Sequence, residues 1–399
     1  MKEPRVGVTG PLATYAPGFA VDLETQGYAK HSAANQLRLL ADLSRWLGDR
    51  RLAPADLTPE RAAQFLASRR QRGYVCWLSS RALAPILGYL RRVEAVPIPP
   101  VAPTPLADLL EEYRRYLAVE RALAAGTIRG YVDTARLFLS RRGRGNDLDL
   151  DGLAAGDVID FVLVGCSARG PKTANNVVTG LRSLLRFLYL TGRTATPLAS
   201  VVPAVAGWRA GALPRTLRAG QVARLLASCD RRRRVGCRDF AILTLLTRLG
   251  LRVGEVAALC LDDIDWRSGE IVIRGKGGST DRLPLPVDVG EALAGYLRRR
   301  RRRPGSRQLF LTVRAPYGGL SNTAIRAVVR RAWNRAGLPD LGAHRLRHHA
   351  ATEMLRGGAR LSDIGQVLRH RDLVTTAIYA KVDRAALMAV AQPWPGVSA

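Results

Sequence analysis

Two proline-rich segments divide the chain and limit how it can fold. The first, PIPPVAPTP, spans residues 97–105, and the second, TPLASVVPAVAGWRAGALPRTL, spans residues 196–217. Neither has the period of a helix or a strand, and proline fixes φ, so each predicts a semi-rigid linker. We therefore expect domains over residues 1–100, 101–200 and 213–390, with a tail over residues 391–399.

Apolar residues recur at helical spacing in the first two segments. The first contains AANQLRLLADLSRWLGDR, LTPERAAQFLASRR and SRALAPILGYLRR, and the second contains TIRGYVDTARLFLSRRG, LAAGDVIDFVLVG and TANNVVTGLRSLLRFLYLTG. In both, a helix that ends near an aromatic–Leu pair is followed by a short capped helix and by a helix that ends near another such pair. This recurrence predicts two related helical domains.

The third segment is mixed. Helical stretches such as DFAILTLLTRLG flank LDDIDW, GEIVIRGKGG and STDRLPLP, which have the character of short strands joined by Gly-rich turns. The predicted class is therefore α+β, mainly α with a small antiparallel β-sheet in the C-terminal domain.

Charge and cysteine content restrict the function. The chain has 62 Lys+Arg against 33 Asp+Glu, and the net charge of +29 favours nucleic acid as the partner. Apolar runs are too short for a membrane span, and no signal peptide is evident, so a cytoplasmic protein with no membrane partner is expected. The five cysteines form no C-x-x-C pair, which argues against a zinc or redox site.

The stretch AHRLRHH begins a predicted helix and concentrates cationic and titratable side chains. His344, Arg347 and His348 share one helical face, whereas His349 points elsewhere. Histidines at i and i+4 also suit a metal, but the neighbouring arginines would repel a cation. An arginine fork beside an imidazole suits a phosphate better. A basic helix face that contacts DNA backbone explains the motif about equally well.

Two further cations occupy turns. Arg252 lies between a glycine that ends one helix and the start of the next helix, where it could bind a phosphate or pair with Glu255. Lys276 lies in the Gly-rich turn RGKGG of a chain that contains only five lysines. A lysine can act as an acid where an arginine cannot, although a cation at this turn could equally contact DNA backbone.

The C-terminal stretch VLRHRDLVTTAIYAKVD adds His370 and Tyr379. A lone tyrosine on an amphipathic helix is more often a core residue than a nucleophile, and its phenol is mostly protonated at neutral pH. Clustered cations would activate it. Two arginines, one lysine, two histidines and one tyrosine are what phosphodiester transesterification without a metal would require.

The motifs GLRVGE, GKGG, HRLR, LRH and TTAIY resemble, in order and spacing, those of the tyrosine recombinases, the group of phage integrases and Xer-type resolvases. The resemblance covers residues 213–383 and, more loosely, residues 105–193. It implies SAM-like helical N-terminal domains and a catalytic set in which two arginines hold the scissile phosphate, a lysine protonates the 5′ oxygen, two histidines assist and a tyrosine attacks. The matching residues here are Arg252 and Arg347, Lys276, His344 and His370, and Tyr379.

The resemblance also implies a function. A site-specific recombinase of a mobile element would cut and rejoin DNA through a 3′-phosphotyrosyl intermediate, without a cofactor or a metal. Four subunits, copies of this chain with or without related recombinases, would assemble on two DNA duplexes in the nucleoid. The alternatives are a type IB topoisomerase-like enzyme that relaxes DNA and a catalytically idle DNA-binding regulator.

Two features depart from the family pattern. Arg369 replaces the glycine that usually precedes the second histidine, which adds charge beside the expected phosphate. The helical segment over residues 19–93 is an addition relative to short two-domain members. We expect this segment to give extra grip on the core DNA site.

Overall fold

The computed structural model describes residues 6–98, 104–144, 147–167, 169–204, 217–218, 220–275, 279–300 and 306–369. The chain forms two compact units, of which one combines Met1–Ile98 with Ala212–Ala399 and the other is Pro99–Gly211. The predicted helix around Tyr379, and the site candidates Lys276 and His370, lie outside the described residues. Within the described ranges, no helix is long and apolar enough to cross a bilayer.

The N-terminal part of the first unit is helical. Its helices are α1 (Ala16–Thr25), α2 (Lys30–Asp49), α3 (Pro59–Gln71) and α4 (Ser80–Arg92). Helix α3 begins where the sequence dictates, because the Thr58 hydroxyl accepts the N–H of Arg61. The rings of Trp46 and Phe65 are in edge-to-face contact, with 5.8 Å between their centroids. They belong to a hydrophobic core formed by residues of this N-terminal part. The three helical stretches predicted here are confirmed as α2 to α4.

This helical part meets the C-terminal part of the same unit at a joint formed by the turn after α1 and Tyr317. The backbone N–H of Tyr317 donates to the carbonyl of Gln26 at 3.1 Å. Gly27 has a φ of +83°, and a Cβ atom there would lie 2.0 Å from Cδ2 of the Tyr317 ring. The glycine is therefore required both for the left-handed turn and for the close approach of the aromatic ring.

Gly27→Ala is expected to displace the Tyr317 ring and loosen the joint. Gly73→Ala is the matched control, because Gly73 has a φ of +80° but nothing within 4 Å of its Cβ position. Both variants incur the left-handed penalty of about 1–2 kcal/mol, and only the first adds the steric clash. We expect faster hydrogen exchange at residues 312–318 in Gly27→Ala alone. Equal rates of hydrogen exchange in both variants would show that the Gly27–Tyr317 contact does not hold residues 312–318 in place.

The second unit is also helical. It contains α5 (Pro105–Val119), α6 (Ala125–Leu139), β1 (Gly143–Arg144), β2 (Asp147–Leu148), α7 (Ala155–Cys166) and α8 (Pro171–Leu190), with β1 and β2 antiparallel. Aromatic side chains bind the helices together. Tyr113 lies 5.1 Å from Phe187 and Phe138 lies 5.1 Å from Phe161, measured between ring centroids.

The C-terminal part of the first unit surrounds the buried helix α10. Its helices are α9 (Gln221–Ala227), α10 (Arg234–Arg248), α11 (Val253–Ala258), α12 (Val287–Arg299), α13 (Asn322–Arg335), α14 (Ala343–Arg356) and α15 (Leu361–Val367). Leu245 and Leu246 of α10 and Trp333 of α13 are fully buried in one core. This core fixes the positions of the loops that carry the site candidates.

The predicted antiparallel sheet is confirmed. It consists of β3 (Ile264–Asp265), β4 (Glu270–Arg274) and β5 (Thr280–Pro284), in the order β3-β4-β5. Ile271 pairs with Leu283, and both side chains are buried. Between β4 and β5, the N–H of Gly275 donates to the carbonyl of Ser279 at 2.7 Å. The protein is thus mainly α with a small antiparallel sheet.

Candidate active site

Arg252 lies at the N-terminus of α11, in a loop whose shape depends on a glycine. Gly250 follows the end of α10 with a φ of +58°, and a Cβ atom there would lie 2.6 Å from Leu368. Only glycine satisfies both conditions. The Arg252 backbone N–H donates to Glu255 Oε2 at 2.7 Å, which caps α11. The Arg252 side chain is 44% exposed, and its Nη1 donates to Glu255 Oε1 at 2.8 Å.

Arg347 enters the same region from α14 and is only 2% exposed. Its Nη1 donates to the carbonyl of Gly250 at 2.5 Å, and its Nη2 donates to the carbonyl of Leu368. One guanidinium therefore connects the loop before α11 to the turn after α15. The buried aliphatic stem and the two carbonyl partners fix the direction of this side chain.

The histidines of α14 are arranged as their spacing predicts. The rings of His344 and His348 are in edge-to-face contact, 4.4 Å between centroids, one turn apart on the helix. His344 is exposed, one turn before Arg347. Burial lowers the pKa of His349, whose side chain lies in a different environment. Among the described residues, no three His, Cys, Asp or Glu side chains cluster as metal ligands would.

Arg369 is not oriented as the sequence suggested. Its φ is +55°, so the backbone adopts the left-handed conformation that the family's glycine would allow. Its side chain is 6% exposed and its Nη2 pairs with Glu255 Oε2 at 2.7 Å, while Nη1 donates to the carbonyl of Val367. The added charge is thus neutralised within the protein. The Arg369 carbonyl in turn accepts Arg252 Nη2 at 3.2 Å.

Glu255 is the site residue whose importance sequence reasoning missed, because it was considered only as an alternative partner for Arg252. Its side chain is 4% exposed. Burial alone would raise the pKa of its carboxyl group, but the Arg252 backbone N–H and the charge of Arg369 outweigh burial, so the pKa lies below its usual value. The R-x-x-E spacing, in which a carboxylate caps the helix that follows the arginine, was the available signal.

The structure brings Arg252 and Arg347 to one turn and places His344 one helical turn before Arg347 on α14. Both arginines donate to the carbonyls of a two-residue turn, Leu368 and Arg369. Two converging guanidinium groups, one of them partly exposed, form an electropositive environment suited to a phosphodiester. The three other candidates lie outside the described residues.

Comparison with known proteins identifies the class. The family model "Phage integrase family" matches residues 215–385, and "Phage integrase, N-terminal SAM-like domain" matches residues 110–192. A putative integrase/recombinase, y4rA of Sinorhizobium fredii, is 42% identical over 97% of this chain and 95% of its own length. The chain therefore belongs to the phage integrase family of tyrosine recombinases, which are DNA strand-transferring enzymes.

Other known recombinases resemble smaller parts of this chain or resemble it in fold. Tyrosine recombinase XerD of Listeria innocua is 30% identical, over 69% of this chain and 95% of its own length. In fold, the chain resembles XerH recombinase bound to a palindromic difH substrate, with a TM-score of 0.55 at 19% identity over 82% of this chain and 93% of that one. A lambda integrase dimer bound to a core site gives 0.53 at 17% identity over 68% and 96%. The y4rA alignment also extends through the added N-terminal helices, since it covers 97% of the chain.

Proposed function

We propose that this protein is a site-specific recombinase of a mobile element in which Tyr379 is the nucleophile. One observation carries the proposal: Arg252 and Arg347, from different elements, converge on the turn at residues 368–369. In sequence, this turn immediately precedes His370, and Tyr379 follows nine positions later (379 − 370). A phosphate bound by both arginines would therefore lie beside the segment that supplies the nucleophile.

The proposed reaction is a transesterification. The Tyr379 oxygen attacks a DNA phosphorus, the bond to the 5′ oxygen breaks, and that oxygen leaves as a hydroxyl after it receives a proton from Lys276. The proton of the Tyr379 phenol passes to His344 or His370, which hold and transfer protons near the phosphate. The 3′-phosphotyrosine conserves the ester, so the 5′ hydroxyl of a partner strand can attack it without an energy-rich cofactor.

The substrate and assembly follow from the same chemistry. Strand exchange between two duplexes requires four nucleophiles, so we propose a tetramer of this chain, with or without related recombinases, on two double-stranded recombination sites. The net charge of +29 supports a polyanionic substrate and a cytoplasmic, nucleoid-associated protein. The helices over residues 16–92 supply additional grip on the core site.

A nicked duplex tests the proposal. The DNA that flanks the gene is cut into fragments, and those fragments that bind the protein at moderate salt supply the site. A nick near the cleavage position then lets the short 5′ fragment diffuse away. The protein is expected to remain covalently attached to the 3′ end. Absence of any adduct on every retained fragment would exclude a live tyrosine enzyme.

Lys276→Ala should be rescued by a substrate with a 5′-bridging phosphorothiolate. Sulfur is a better leaving group than oxygen and needs no general acid, so this substrate bypasses the proposed role of Lys276. Arg252→Ala is the control, because loss of a phosphate contact is not repaired by a better leaving group. The measurement is the ratio of cleavage rates on the sulfur and oxygen substrates. Equal rescue of both variants would contradict these assignments.

A further inference from the structure

The turn formed by Leu368 and Arg369 is fixed from several directions. The Leu368 side chain is fully buried beside Ile364 and Ala351. Its carbonyl accepts Arg347, and the carbonyl of Arg369 accepts Arg252. The orientations of Arg252 and Arg347, the two arginines that we assign to the phosphate, therefore depend on the position of this turn.

The Arg369 backbone is strained, yet its side chain is not at the surface. A φ of +55° is unfavourable for any residue with a Cβ atom and costs glycine nothing. If the Arg369 guanidinium were directed into solvent, no protein contact would offset the energetic cost of this backbone conformation. Instead, the Arg369 side chain is 6% exposed and forms an ion pair with a carboxylate that is 4% exposed. Without Glu255, the charge of Arg369 would be buried without compensation, whereas Glu255 without Arg369 would keep only its bonds to Arg252.

Glu255 is shared between two arginines. Its Oε1 accepts Arg252 Nη1 at 2.8 Å. Its Oε2 accepts both the Arg252 backbone N–H and Arg369 Nη2, each at 2.7 Å. Because Arg369 occupies Oε2, the Arg252 guanidinium does not close on Glu255 with two parallel hydrogen bonds, and its Nη2 is directed to the turn.

We propose that Arg369 is a positioning residue that shares Glu255 with Arg252, so that the Arg252 guanidinium is held toward the turn and toward the DNA phosphate. Without the Arg369 side chain, Arg252 would be drawn onto both oxygens of Glu255, and the turn would lose its buried anchor. This inference rests on the proposed role of Arg252 in holding the phosphate.

Arg369→Gly provides the test, because glycine accepts the positive φ and removes only the guanidinium. We expect single-turnover cleavage of the nicked site to fall by on the order of 10², the cost of misplacing a phosphate ligand, with DNA affinity nearly unchanged. Arg369→Lys, which restores a cation but not the fork, should recover part of the rate. Methylguanidinium added to Arg369→Gly should also restore activity. Arg356→Met, which breaks the exposed pair with Glu353, should leave the rate at the wild-type value.

The pH profile separates positioning from simple destabilisation. Among the described residues, the charged groups bonded to Glu255 are Arg252, from the loop before α11, and Arg369, from the turn after α15. Burial raises the pKa of Glu255, and Arg252 and Arg369 lower it, so removing Arg369 should raise this pKa toward the value that burial favours. A raised pKa means that the carboxylate is protonated as pH falls through a higher value, so the acid limb of the cleavage profile should move to higher pH in Arg369→Gly.

The outcomes are distinguishable. If Arg252→Ala cleaves at the wild-type rate, the proposed function of Arg252 fails. If Arg252→Ala is inactive but Arg369→Gly cleaves normally, Arg252 keeps its role and the positioning inference is overturned. A slow Arg369→Gly whose acid limb does not move and which methylguanidinium does not rescue would also overturn it, because the defect would then be structural alone.

Discussion

Tyr379→Phe is expected to abolish covalent attachment of the protein to a nicked DNA site while leaving affinity for the site unchanged. The substitution removes one oxygen and no charge, so the phosphate contacts made by Arg252 and Arg347 would persist. Without the phenol oxygen there is no atom to form the 3′-phosphotyrosine. Denaturing gels of the adduct and mobility shifts of the bound complex measure the two properties separately.

The two other tyrosines after residue 200 serve as controls. The Tyr296 hydroxyl accepts the N–H of Leu311 at 3.1 Å, and burial raises the pKa of this phenol, so it is a poor nucleophile. Tyr317 lies at the joint with Gly27. Tyr296→Phe and Tyr317→Phe should both form the adduct. An adduct that persists in Tyr379→Phe and disappears in either control would identify another nucleophile.

Arg347→Lys is expected to lower the cleavage rate by ~10³ or more, since an ammonium group cannot reproduce a fork aimed at a transferring phosphoryl group. The same change removes the guanidinium group that bridges the carbonyls of Gly250 and Leu368. Each lost charged hydrogen bond costs about 1.5–3 kcal/mol, so the free energy of unfolding should also fall. Single-turnover rates, corrected for the folded fraction from urea unfolding, measure the chemical effect.

Arg238→Lys is the matched control for this experiment. Arg238 is likewise buried and donates to a carboxylate, Asp239, and to a carbonyl, that of Leu311. It lies on α10, away from the turn at residues 368–369. Arg238→Lys should therefore lose stability without losing cleavage rate per folded molecule. A similar loss of rate in both variants would show that Arg347 acts only through folding.

The elements of the fold were predictable because they depend on local spacing. Apolar residues at helical period, and short strands bounded by glycine, were sufficient to predict α10, α14 and the sheet from β3 to β5. Six arginines follow one another at residues 298–303. Helix α12 ends within this run at Arg299, and Arg299 and Arg300 donate to the carbonyls of Arg231 and Gln308.

The site was only partly predictable. Arg252, His344 and Arg347 could be named as candidates because each lies in a short motif whose chemistry is visible in sequence. The pair between Glu255 and Arg369 could not be, because it joins positions 114 apart and depends on a backbone conformation that arginine rarely adopts. The contact between Gly27 and Tyr317 was missed for the same reason, since nothing local to either residue indicates the other.

The joint at Gly27 has a consequence for the order in which this protein is made. Gly27 and Tyr317 are 290 positions apart (317 − 27), and the whole second unit is synthesised between them. At about 5–20 residues per second on the ribosome, the N-terminal helices emerge roughly 15–60 s before their docking partner exists. They must fold around Trp46 and Phe65 and remain soluble during that interval. The contact between the turn after α1 and Tyr317 can therefore form only late in synthesis, although one of its partners is among the first residues made.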